Sequence, residues 1–143
     1  MSTFKEVITL GGLEVRFLLD GDDTDNQMVV FELLIQPGAK VPKAHFHVDV
    51  DEMLYGMEGV TTSYVDGERT DIAPGQSLFI RRGQVHYHDN LTDQLAKTLC
   101  VLTPASIGPA YFRELRELLK AGGPPDQQKL AEIMLRHGLV ASV

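Results

Sequence analysis

The sequence of 143 residues has one cysteine, few basic residues and no long apolar run. The single cysteine, Cys100, excludes an internal disulfide, and its place in the apolar run 98–102 is typical of a buried, inert thiol. Charged residues interrupt the first twenty positions, and no later stretch approaches the roughly 20 apolar residues of a membrane span. We therefore expect a cytoplasmic protein with no membrane partner.

The charge balance indicates which partners to expect. Twenty acidic residues against 13 basic ones give a formal net charge of -7. Nucleic acids and anionic membranes select proteins with a basic face, so neither is an expected partner. The length and the hydrophobic content of 43% suit one compact domain with a single core. A small molecule is the expected partner.

Between Val7 and about Leu102 the sequence alternates short β-rich runs with turn signals. The runs cover residues 13–19, 28–35, 52–57, 61–65, 77–80, 85–88 and 95–102. Glycine, proline and aspartate separate them, and Asp66-Gly67 is typical of a tight hairpin. Many short strands with regular turns predict an all-β sandwich or barrel.

The run 28–35 is apolar at nearly every position, which is typical of a strand covered on both faces or packed on another subunit. After Pro104 the apolar spacing becomes helical. One helix begins near Pro109 and ends at Gly122-Gly123, and a second begins after a cap at Asp126. We predict a β-domain over 1–105 and a helical tail over 106–143 that packs on the outside of the barrel or on a partner. The apolar run and the amphipathic tail together predict a homodimer.

Three histidines and a glutamate form the main functional signal: His45, His47, Glu52 and His86. Alternate residues of a strand share a face, so His45 and His47 can both point inward, where Glu52 and His86 can join them from neighbouring strands. A divalent metal needs several donors converging at about 2.0–2.3 Å, which strands can provide. The cluster indicates one divalent metal ion, with iron, manganese, nickel and zinc all compatible.

The turn residues around these ligands follow the patterns Gly38-x6-His45-x-His47-x4-Glu52-x6-Gly59 and Gly75-x5-Arg81-x-Gly83-x2-His86-x3-Asn90. These patterns closely resemble the two motifs of the cupin superfamily, and the tail resembles that of small bacterial single-domain cupins. The resemblance implies a jelly-roll (cupin) barrel with two short C-terminal α-helices. It also implies that the four residues above bind the metal. Two positions depart from the family pattern: one extra residue before His45 predicts a longer loop, and Arg81 replaces the usual proline.

Candidates for catalysis surround the ligands. His88 follows His86 by two residues, so an inward side chain would serve as a general base, a substrate contact or a fifth ligand, whereas an outward one would have no role. Tyr87 is a second candidate for proton transfer. Gly56 interrupts a strand, which suggests room for a substrate. Arg81 and Arg82 are candidates for binding an anion at the barrel mouth, although turn arginines are usually only solubilising.

Four protein ligands leave one or two coordination positions open for a small molecule. The cupin resemblance, which includes many dioxygenases with these ligands, makes a metal-dependent dioxygenase-type oxidoreductase the leading hypothesis. Its substrate would be a small organic molecule with oxygen donors. The alternatives are a metal-dependent isomerase or lyase, and a non-catalytic cupin that binds a small molecule.

Overall fold

The computed structural model describes residues 4–39 and 44–142, which form two antiparallel β-sheets and two short helices. The strands are β1 (Glu6–Leu10), β2 (Leu13–Leu19), β3 (Val29–Ile35), β4 (His45–His47), β5 (Asp51–Glu58), β6 (Thr61–Val65), β7 (Glu68–Ile72), β8 (Ser77–Ile80), β9 (His86–Asp89), β10 (Ala96–Thr103) and β11 (Leu139–Ala141). The helices are α1 (Pro109–Leu119) and α2 (Gln127–Arg136). The predicted fold class is confirmed. The longer loop predicted before His45 falls on residues 40–43, outside the described part of the chain.

The chain crosses repeatedly between the two sheets. The first sheet has the strand order β1-β2-β3-β10-β5-β8, and the second has the order β11-β4-β9-β6-β7. From β3 onward, strands that follow one another in sequence lie in opposite sheets, as in a jelly roll, except for the hairpin of β6 and β7. This crossing brings side chains from distant parts of the chain to one interior.

Strand β3 carries the apolar run that suggested a subunit interface. It lies between β2 and β10 and pairs with both. Phe31, Leu33 and Ile35 belong to the core, and Leu34 is also buried within the single chain. Most of this run is therefore covered without a second subunit, and the homodimer stays a prediction.

Two glycines, one in a turn and one within strand β5, show where the backbone needs a residue without a side chain. Asp66 and Gly67 join β6 to β7 with φ values of 49° and 83°, as a tight hairpin turn of the predicted kind needs. At Gly56, a Cβ atom would lie 2.1 Å from the carbonyl oxygen of Ala73. The Gly56 N–H donates to the Gln76 carbonyl at 2.8 Å, so the neighbouring turn fills this space. The prediction that Gly56 makes room for a substrate is wrong, because backbone occupies that room.

The two helices begin where the sequence predicts. Pro109 is the first residue of α1, where a backbone N–H is not needed. The Asp126 carboxylate accepts hydrogen bonds from the backbone N–H groups of Gln128 and Lys129 at 3.0 and 3.1 Å and so caps α2. Helix α1 packs on β1, α2 packs on β11, and the helices contact each other. Within the described residues, no helix is long and apolar enough to cross a membrane.

Candidate metal centre

Three histidines meet on the inner face of the second sheet. His45 lies directly opposite His86 in the pairing of β4 with β9. Strand alternation turns His47 to the same side as His45, while Phe46 between them is only half-buried. The His86 ring centroid lies 4.7 Å from that of His45 and 4.8 Å from that of His47. One ligand atom from each of the three histidines lies within 4.8 Å of the others.

The short strand β4 is held in place by β11, which the sequence analysis missed. Leu139 pairs with His47, and Ala141 pairs with His45. The backbone N–H of Gly83 also holds β4, because it donates to the His47 carbonyl at 2.8 Å. The only sequence signal for β11 is the brief apolar run after Gly138, which is too short to separate a strand from a helix end.

Glu52 reaches the histidines from β5 in the opposite sheet. Its Oε2 atom lies 3.6 Å from Nε2 of both His86 and His88. This oxygen is buried and has no hydrogen-bond partner among the described residues. Glu52, His86 and His88 form a second group of ligand atoms within 4.8 Å of one another. An unpartnered carboxylate oxygen is costly to bury, and a bound cation would supply the missing partner.

The protonation states of the cluster suit metal binding. Burial lowers the pKa of His86 to about 4, and burial is also the main cause that lowers the pKa of His47. Burial raises the pKa of Glu52, but His88, His86 and His47 outweigh it, so this pKa lies below its usual value. At neutral pH these imidazoles are neutral and the carboxylate is ionised, which are the forms that bind metals.

Contacts outside the cluster orient the rings. The Nδ1 atom of His86 lies 2.9 Å from the Gln84 carbonyl oxygen, so Nδ1–H donates to it and Nε2 faces Glu52. The Nδ1 atom of His88 is hydrogen-bonded to Ser63 Oγ at 2.8 Å, and Ser63 is fully buried. Sequence reasoning missed Ser63, because its position depends on the register that places it opposite His88 in the pairing of β6 with β9.

The structure separates the two predicted catalytic residues. His88 is buried, lines the interior and faces Glu52, so its side chain has the inward orientation. Tyr87 lies on the other face of β9, where its ring stacks on Tyr64 at a centroid distance of 4.5 Å, and it does not line the cavity. The prediction that Tyr87 transfers a proton is therefore wrong, because strand alternation turns its side chain away from the site. The role of His88 stays a prediction.

The cluster forms one end of a cavity of about 80 Å³. The polar end consists of His45, His47, Glu52, His86 and His88. The rest of the lining is apolar or uncharged: Leu10, Leu13, Val15, Phe31, Leu33, Cys100, Leu102, Ile107, Tyr111, Phe112, Leu115, Leu130, Met134 and Leu139. The tail helices thus do more than cover the outside of the barrel, since five of these residues belong to them: Tyr111, Phe112, Leu115, Leu130 and Met134.

The donor set fits one divalent metal ion. Two ligand atoms on opposite sides of a metal at about 2.0–2.3 Å lie about 4–4.6 Å apart, and the ligand atoms of both donor groups lie within 4.8 Å of one another. Mixed nitrogen and oxygen donors are compatible with several metals, so the residues define a site and leave the metal's identity open. His86 belongs to both donor groups and is central to the site.

The fold and the site together define a class of protein. Its members are jelly-roll barrels with a buried histidine and glutamate cluster at one end of the cavity. The cupin domain family model matches residues 31–102, about half of the chain and a segment that includes all five cluster residues. The chain therefore belongs to the cupin family, as the motif spacing predicts.

Similar proteins have diverse names. The chain is 30% identical over 93 residues to quercetin 2,3-dioxygenase of Bacillus subtilis (strain 168), a match that covers 65% of this chain and 27% of that protein. It is 31% identical over 75 residues to the tetracenomycin polyketide synthase protein TcmJ of Streptomyces glaucescens, covering 52% of this chain and 50% of that one. The crystal structure of a cupin-superfamily sugar phosphate isomerase from Silicibacter pomeroyi matches with a TM-score of 0.58 and 29% identity. The match covers 66% of this chain and 60% of that one. The matched segments thus span between a quarter and two thirds of these relatives.

Proposed function

We propose that this chain is a metal-dependent enzyme acting on a small organic substrate, with a dioxygenase-type oxidation as its leading reaction. The observation that carries the proposal is the position of the ligand cluster at the end of a cavity, so that a metal held by these residues would lie beside space for a substrate. The similarity to quercetin 2,3-dioxygenase supports the reaction type. The buried hydrogen bond between His88 and Ser63 beside the cluster supports a catalytic role, because it would orient His88 as a base.

The chain's own residues supply binding and proton transfer. When bound, a divalent metal supplies a Lewis acid for a substrate oxygen and, in the case of iron or manganese, reactivity toward dioxygen. When Nδ1–H of His88 donates to Ser63, the Nε2 atom is left free to accept a proton inside the cavity. The apolar walls exclude water, which strengthens electrostatic interactions at the polar end.

The test combines metal analysis with an oxygen electrode. Protein purified without added metal is analysed for bound metal, loaded with iron(II) or manganese(II), and screened for oxygen consumption with small enols, phenols and diketones. We expect consumption that depends on substrate, is lost in His86→Ala and is unchanged in Leu135→Ala, whose side chain is 65% exposed on α2. Loaded protein that consumes no oxygen with any compound would contradict the oxidative proposal.

A second candidate is an isomerase or lyase. The hydrogen-bonded pair of His88 and Ser63 favours it, because proton abstraction needs an oriented base beside a Lewis acid. The sugar phosphate isomerase among the similar structures supports the same alternative. Incorporation of solvent deuterium into a substrate without oxygen uptake would favour this reaction. Binding without either signal would leave the non-catalytic alternative.

A further inference from the structure

We infer that the cavity selects a compact ligand whose body is apolar and carries no charge away from the metal-binding end, and that the two tail helices set its size. This inference deepens the proposed function and rests on it only in that the cavity binds a small molecule beside the metal.

Among the described residues, 4–39 and 44–142, the cavity lining offers no positively charged side chain that would hold a second anionic group. The ionisable lining residues of this part of the chain, apart from Tyr111 and Cys100, all lie in the polar cluster, and no described lysine, arginine, asparagine or glutamine belongs to the lining. Arg82, a candidate for anion binding, is engaged by Asp51 through contacts of 3.1 and 3.2 Å, and neither Arg81 nor Arg82 lines the cavity. A phosphate or a distal carboxylate would therefore meet no cation among the described lining residues, and burying an anion without a cation costs far more than leaving it in water.

The two other ionisable side chains in the wall are neutral. Burial raises the pKa of the Tyr111 hydroxyl and is the main cause that raises the pKa of the Cys100 thiol, so both keep their protons at neutral pH. The Cys100 Sγ atom lies 3.6 Å from Thr98 Oγ1, a weak contact within β10. Neither residue carries a charge opposite to that of an anion, so charge compensation by the described lining residues is concentrated at the polar end.

The helix faces that close the cavity are tightly buried. Leu115 of α1 and Leu130 and Met134 of α2 are at most 4% exposed and belong to the main core. The volume of about 80 Å³ is well below the roughly 300–1,000 Å³ of pockets for drug-sized ligands, so a single small ring is the scale of ligand that fits. A smaller side chain at one of these helix positions should enlarge the cavity and so allow a larger ligand to bind.

The experiment uses binding rather than turnover. Full-length protein is loaded with zinc, which undergoes no redox chemistry, and titrated calorimetrically with three probes that share one pair of hydroxyl donors: 4-methylcatechol, 3,4-dihydroxybenzoate and 4-tert-butylcatechol. Metal content is measured after each titration to exclude extraction of zinc. We expect 4-methylcatechol to bind at least about 10-fold more tightly than 3,4-dihydroxybenzoate, which differs mainly by a distal carboxylate.

The bulky probe tests the helix wall. We expect 4-tert-butylcatechol to bind weakly to the wild type and at least about 10-fold more tightly to Leu130→Ala, which enlarges the cavity. Leu135→Ala, five residues further along the same helix and exposed, is the matched control and should bind as the wild type does. Leu115→Val on α1 makes a smaller change and replaces Leu130→Ala if that variant does not fold.

The outcomes separate this inference from the proposed function. Equal or tighter binding of 3,4-dihydroxybenzoate would overturn the ligand class. Identical probe affinities in a folded cavity variant and Leu135→Ala would overturn the role of the helices. If the probes behave as expected while loaded protein shows neither oxygen uptake nor deuterium exchange, the proposed enzyme function fails and the inference stands. Turnover of a substrate with a distal charge would support the proposed enzyme function and overturn the inference about the ligand.

Discussion

The two ends of the cavity are built by different means. The polar end takes its side chains from β4, β5 and β9, where strand alternation and register position each donor. The other end takes Leu115, Leu130 and Met134 from helices that pack against the barrel. Because directional donors dominate one end and non-directional apolar packing the other, substitutions should remove metal binding at the first and stability at the second.

The largest expected effect is at the polar end, in His86→Ala. His86 belongs to both donor groups, so its loss should weaken metal binding by more than about 100-fold, beyond the usual effect of residues that only support a ligand. Metal content after dialysis, measured by mass spectrometry, tests this. Met134→Ala should keep its metal. Full occupancy in a His47→Ala/His86→Ala double variant would refute the metal site.

His88→Phe separates metal binding from proton transfer within the polar end. If His88 is the base, turnover should fall by about 10²–10⁴-fold while metal content and folding are retained. Loss of metal in the same variant would show instead that His88 is a ligand, in keeping with its place in the second donor group. Ser63→Ala should give a smaller decrease than His88→Phe, and Ser63→Thr, which keeps the hydroxyl, should restore part of it.

At the apolar end, Met134→Ala should lower the free energy of unfolding by about 2–5 kcal/mol, because it leaves a void in a packed region. Denaturant unfolding measures the change. The exposed control Leu135→Ala should change it by less than about 0.5 kcal/mol. A Met134→Ala protein that keeps its stability but loses its metal would break the contrast between the two ends.

The smallest expected effect lies on the outer side of the helix pair, where Glu114 contacts Arg136 and His137. Hydrogen bonds from His137 first and Arg136 second lower the pKa of the Glu114 carboxyl below its ordinary value. Since the pKa is lower in the folded state, the stabilisation is complete above about pH 4.5 and is lost as the pH falls through the folded-state value. Glu114→Gln should cost about 0.2–1 kcal/mol near neutral pH, because the group is partly exposed.

Unfolding curves of wild type and Glu114→Gln at several pH values test this sign. The two proteins should differ at neutral pH and converge in acid. A difference that grows as the pH falls below about 4.5 would contradict the assignment of the carboxylate as the stabilising form.

Sequence reasoning succeeded where the signal is local. The spacing of His45 and His47, the Asp66-Gly67 turn and the Asp126 cap each depend on neighbours within a few residues, and the structure has all three features. It failed at Gly56 and Tyr87. The space at Gly56 depends on the turn at Ala73, and the position of Tyr87 depends on which face of β9 is buried.

By itself the sequence determined the fold class and the family and indicated candidate metal ligands, because strand alternation and turn geometry are short-range properties. Tertiary structure alone decided the contact of Ser63 with His88, since register sets it, and the pairing of β11 with the ligand strand. It also decided that the tail helices form a wall of the cavity. Apolar spacing shows which face of a helix is buried, but what that face packs against depends on how the whole chain folds.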